Sequence, residues 1–166
     1  MDRRFENLPL LKYLEEHGVT LKDLLDAALE MYIPHPGLET RQKAEELFKD
    51  GFFEVLSDVN VAVLEVALFQ AEEQAQAGKV PLLPVEQFRT RPGLIVDELL
   101  GMTIADYIAG ARAIFEYIRY DQAKPGILRK LGPIANDAIS GLIAGVSSKI
   151  YSAALELENK KQATRK

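Results

Sequence analysis

Two arginines, Arg89 and Arg91, flank Thr90 just ahead of a Pro-Gly step, and Lys124 stands immediately before another. Three segments share one design, a basic or potentially basic residue followed by Pro-Gly and then Leu or Ile: His35-Pro36-Gly37-Leu38, Arg91-Pro92-Gly93-Leu94 and Lys124-Pro125-Gly126-Ile127. Where such a step opens a helix, free backbone N–H groups and the positive end of the helix dipole lie beside a cationic side chain. That is an arrangement able to hold a phosphate or carboxylate. Arg89, Arg91, Gly93, Lys124 and Gly126 are the candidate anion-binding residues. The competing explanation is that Pro-Gly is simply good chemistry for a loop entering a helix.

Other chemistries are excluded by inventory. The chain has no cysteine, so it carries no disulfide, thiolate nucleophile or sulfur-ligated metal. Its two histidines, His17 and His35, have no Glu three residues before them, which rules out the Glu-x-x-His pairs of a di-iron bundle. Neither matches a nucleophile-elbow pattern, and no Gly-rich loop matches a nucleotide fingerprint. No cofactor or metal is expected. Carboxylates are plentiful: Asp97-Glu98 near a helix end, Asp106 and Glu116 on an amphipathic helix, and Glu65 inside an apolar stretch. Glu65 reads as a surface carboxylate between two apolar helix faces. Tyr107, Tyr117 and Tyr120 with Arg112 and Arg119 suggest an aromatic-basic surface, but the interspersed Glu116 and Asp121 favour a solvated helix face.

The elements that position these residues are helices. Asn7 caps a first helix to His17, ended by Gly18; Thr20 with Asp23 forms a capping box for a second, to about Tyr32. A third follows Pro34 to Gly37 and stops at Asp50 before Gly51, and a fourth starts from Asp58 or Asn60 and runs to Gly78. Residues 79–92, with three prolines, form a connector. A short helix from Pro92 stops at Gly101. Thr103 then caps a longer one whose apolar face is Ile104, Tyr107, Ile108, Ala111, Ile114, Phe115 and Ile118. Residues 10–28 resemble a helix-turn-helix in outline, but Asp23 and Asp26 would face phosphates and no Arg, Asn or Gln opens the second helix.

Pro133 opens the last helix, expected to end near Asn159. Along it Ala138, Gly141, Gly145, Ser148 and Ser152 recur at spacings of three and four, a ridge of small side chains beside a ridge of large ones at Ile139, Leu142, Ile143, Val146 and Ile150. Each glycine costs about 1 kcal/mol of helix propensity, so close packing or ligand access must compensate. The stripe fits the centre of the chain's own bundle, a seam with a second copy, or the floor of a ligand pocket.

Length and composition set the class. The 166 residues are 48% hydrophobic and 27% charged, with a net charge of −5. That describes one folded domain, not a dense cationic surface for nucleic acid or anionic membrane. The expectation is an all-α, single-domain multi-helix bundle over residues 1–159 with a long, mostly buried C-terminal helix, and a basic, disordered tail at 160–166. The longest uncharged stretch runs from Ala138 to Ser148, shorter than a membrane span, and the N-terminus lacks a secretory signal. The expected setting is cytoplasmic, without a membrane. The leading function is a non-enzymatic interaction or assembly module with a protein partner or itself, as a homo-oligomer. The alternatives are a nucleic-acid-associated accessory subunit with a local basic patch at Arg89, Arg91, Lys124, Arg129, Lys130 and the terminal Lys/Arg cluster, and a small-molecule or anion-binding domain.

Overall fold

Helix starts follow local chemistry. In the computed structural model, which describes residues 3–91 and 93–164, α1 (Pro9–Glu16) opens with Pro9 in its first turn after Leu8, with no side-chain cap, so Asn7 does not play the predicted role. Before α2 (Leu21–Glu30), Thr20 accepts from the Asp23 amide at 3.2 Å and the Asp23 carboxylate accepts from the Thr20 amide at 2.9 Å, the capping box read from sequence. Thr40 caps α3 (Arg41–Leu56), and Asp58 caps α4 (Val59–Gln76), accepting from the Asn60 amide at 2.7 Å.

Two predicted stops are wrong for one reason. Gly51 lies inside α3, and Gly101 lies inside α5 (Val96–Ala109). Both glycines make room for the last helix. A Cβ at Gly51 would come within 2.7 Å of Val146 Cγ1, and one at Gly101 within 2.5 Å of the Asp137 carbonyl oxygen. The break falls instead at Gly110, whose φ of 74° ends α5 before α6 (Arg112–Ala123) begins. Thr103 therefore caps nothing; its hydroxyl donates to the Leu99 carbonyl within α5. The single amphipathic helix expected after Thr103 is split in two. Its apolar face is divided as well: Ile104 is buried, while Phe115 is 74% exposed. Tyr117 and Tyr120, read as surface residues, are buried in the core.

The architecture is an all-α bundle of seven helices among the described residues, built around α7 (Pro133–Thr164). At 32 residues α7 is about 48 Å long, and α3, α4, α5 and α6 pack around it. Almost every residue from Ile134 to Ile150 is buried. By length and composition α7 could cross a membrane, but 67% of its most apolar window is covered by other helices. The helix continues past the predicted end at Asn159 to Thr164; Arg165 and Lys166 of the predicted tail, and Pro92 of the second Pro-Gly step, lie outside the described residues.

The small-residue stripe is covered from within the chain. The Gly101 carbonyl and the Ile104 side chain occupy the space a Cβ on Gly141 would need, and Ile108 does the same at Gly145, 2.6 Å away. Ala138 and Ser148 are buried too, whereas Ser152 lines an open groove. Glu65, expected on a helix surface, is completely buried in α4, with neither carboxylate oxygen hydrogen-bonded.

Candidate functional site

Polar side chains gather in the core where α4, α5 and α6 meet the first turns of α7. The start of α7 is held by a carboxylate from another helix. Glu72 on α4 accepts from the amides of Ile134 (2.8 Å) and Ala135 (3.3 Å), meeting the unpaired N–H groups and positive dipole end of α7. Gln76 donates to the other Glu72 oxygen at 2.6 Å. That carboxylate fills the space beside Gly132 that any side chain there would need.

One turn further on, α7 presents Asn136 and Asp137 to Lys124. Lys124 follows α6 in the left-handed conformation (φ 47°, ψ 54°), where a non-glycine residue costs on the order of 1–2 kcal/mol. Glycine is the usual occupant of such a helix end. A lysine here trades backbone strain for the position of its side chain. Its ammonium donates to Asp121, to the Asn136 side-chain oxygen and, at 3.3 Å, to Asp137 Oδ1. Asn136 in turn donates to the carbonyls of Gly132 (3.1 Å) and Pro133 (2.8 Å), which fixes its amide.

The Asp137 side chain is 4% exposed, and Lys124 at 35% and Asp121 at 26% form the solvent edge of the cluster. Burial raises Asp137 well above the usual carboxylate range, to about 7; Lys124 pulls it down, and the charges of Asp121 and Asp97 push it up. Tyr117 belongs to the same cluster. Its hydroxyl is buried with no hydrogen-bond partner, and burial, reinforced by Asp137 and Asp121, holds it protonated. Asp97 and Glu98, which sequence placed near a helix end, lie in the first turn of α5. Among the described residues, no three histidine or acidic side chains are arranged to hold a metal ion.

The cluster therefore combines a carboxylic acid that can exchange a proton near neutral pH, a partly exposed ammonium and a buried phenol that stays protonated.

The residues selected from sequence do not form one site. Lys124 is in the cluster, but Gly126 is not: its amide donates to Glu30 at 3.0 Å, and Arg129 also binds that carboxylate. The anion this helix start was expected to hold is the protein's own. Arg91 donates to the Leu82 carbonyl at 2.5 Å and to Gln87, tying the connector together, while Arg89 is exposed and Gly93 takes a φ of 75° in a turn. Sequence reading does not select Asp137 or Glu72, and it places Tyr117 on a solvated helix face, whereas Tyr117 is buried. A signal exists for Asp137, which borders the longest uncharged stretch of the chain, Ala138 to Ser148.

No profile of a described protein family matches the chain. Uncharacterized protein MJ1330 of Methanocaldococcus jannaschii is 35% identical over 132 residues, 76% of this chain and 99% of that protein. The chain belongs to that archaeal protein's family. The same fold occurs in solved bacterial structures. The low temperature requirement C protein of Listeria monocytogenes matches with a TM-score of 0.71 at 24% identity over 87% of this chain and 93% of its own. A protein of unknown function from Bacillus stearothermophilus matches at 0.68 and 26%, over 87% and 96%. Bacillus subtilis ypjQ, described as DUF64, matches at 0.70 and 18%, over 89% and 94%. The MJ1330 family thus uses a bundle shared with bacterial proteins.

Proposed function

We propose that the chain is an enzyme acting on a small anionic ester, with Asp137 as the proton-transferring group and Lys124 as the cation that receives the substrate's anion. One observation carries this reading: a lysine held in a strained backbone conformation delivers its ammonium to a buried carboxylate kept near neutrality. Backbone strain of this kind clusters at functional sites, and a general acid–base works best with a pKa near the ambient pH. Lys124 lies at the solvent edge, 35% exposed, and a substrate anion would bind it by displacing the Asp121 carboxylate from its ammonium. Phosphomonoesters are the first class to test, because a phosphate offers several oxygens to one ammonium.

The test is hydrolysis of a phosphomonoester panel, with and without added magnesium, by the wild type, Asp137→Asn and Lys124→Ala. Turnover that falls at least 100-fold in Asp137→Asn, with circular dichroism unchanged, supports the proposal. Turnover by none of the proteins under any condition, or equal turnover by all three, refutes it.

A second reading, the assembly module, keeps one specific support. On α4, Val59, Val63 and Val66 stand 71%, 63% and 36% exposed at spacings of four and three, and Val96 and Leu99 are exposed on α5. Neither helix contains a lysine or arginine. Surfaces this apolar on a monomer commonly mark association sites. Light scattering over a concentration series, with Val63→Glu as the comparison, decides it: a monomer at every concentration removes this reading.

A further inference from the structure

We propose that the groove between residues 33–35, α6 and the C-terminal half of α7 is a second anion site, binding a phosphate-bearing small molecule through Arg112 and Arg119. The groove encloses about 370 Å³, room for a small ligand. On a chain of net charge −5, its lining carries two guanidinium groups and His35 against one carboxylate, Glu116.

That carboxylate is already committed. Both Glu116 oxygens accept from Arg119 Nη1 at 2.8 Å, which fixes the guanidinium and leaves its other N–H groups for a ligand. Arg112, the first residue of α6, has no hydrogen-bond or ion-pair partner among the described residues.

The opposite wall is fixed in advance. The Tyr151 hydroxyl donates to the Ile33 carbonyl at 2.7 Å and accepts from the Ile33 amide at 2.9 Å, pinning the loop to α7. His35 Nδ1 lies 2.7 Å from the Pro36 carbonyl, which can only accept, so Nδ1 carries a proton. The His35 ring stands edge-on to Tyr151, with centroids 6.0 Å apart. Ser152, the one member of the small-residue stripe that is not buried, lines this groove. Arg119, held by Glu116 and facing this fixed wall, meets a phosphate with little ordering cost, and Arg112 is ordered by the ligand it binds. Ser148, where α7 enters the groove, is eleven residues beyond Asp137, about 16 Å along the helix. The groove is therefore separate from the Lys124 cluster.

Calorimetric titration of the full chain with sodium pyrophosphate at low ionic strength tests the assignment. The expected result is saturable one-site binding that weakens at least tenfold in Arg112→Ala and in Arg119→Ala and persists in Lys124→Ala. Arg112 is exposed, so its variant reads binding even if loss of the Arg119–Glu116 pair disturbs folding. Absence of saturable heat, binding unchanged in Arg112→Ala, or binding lost only in Lys124→Ala overturns the proposal. The last outcome places the anion at the Lys124 cluster and leaves the proposed function standing.

Discussion

Gly101 of α5 rests directly on the backbone of Asp137 in α7: a Cβ on the glycine would lie 2.5 Å from the aspartate's carbonyl oxygen and 2.6 Å from the Tyr117 ring. The contact that lets two helix backbones touch thus also sets the placement of the polar cluster.

Gly101→Ala should be destabilising despite alanine's better helix propensity. The propensity gain is about 1 kcal/mol, but the colliding atom is backbone and cannot rotate away. Overpacking of this kind costs on the order of 1–3 kcal/mol or more. Urea unfolding should show a net loss in stability; a gain would mean that α5 and α7 can separate freely.

Gly145→Leu separates intramolecular from intermolecular use of the small-residue stripe. Ile108 of the same chain occupies the space in question, so the substitution should lower the melting temperature of the isolated chain at any protein concentration. A variant that melts like the wild type but associates less would assign the stripe to a second copy.

Glu65 predicts a pH dependence of stability. Burial raises its pKa from 4.5 to about 8, with no partner to offset the cost. The folded state therefore holds a proton that the unfolded state releases above about pH 4.5. Its contribution is fully present below that pH and declines as pH rises toward 8, where the folded carboxyl ionises. Glu65→Gln should flatten the fall in stability between pH 5 and 8. Glu65→Leu should gain on the order of 1–3 kcal/mol at pH 8, since an unpaired buried polar group is removed. Urea midpoints across that range check both; parallel curves for wild type and Glu65→Gln would show that Glu65 does not titrate there.

What was legible in the sequence was local. The Thr20–Asp23 box, the α4 cap, which falls to Asp58 of the two candidates Asp58 and Asn60, and Pro133 at the start of α7 all depend on residues within one turn. The uncharged stretch from Ala138 to Ser148, which wraps well over half of its helix, marks the central helix. Gly51 and Gly101 were misread because glycine ends helices and also lets them touch, and only the partner helix decides between the two. Glu65, Tyr117 and Asp137 were invisible as a class for the same reason: burial and pKa arise from side chains far apart in sequence. Lys124 was selected for its Pro-Gly neighbour, yet its side chain turns to Asp121, Asn136 and Asp137.

The proton state of Asp137 bears most directly on the whole account. Carbon-13 NMR of aspartate-labelled protein, with Asp137→Asn to assign the signal, should show one aspartate carboxyl titrating near pH 7. That titration should move higher in Lys124→Ala, because the ammonium favours the ionised form. If every aspartate carboxyl titrates below pH 5, Asp137 is a permanently charged ion-pair partner and the acid–base reading of this cluster is contradicted.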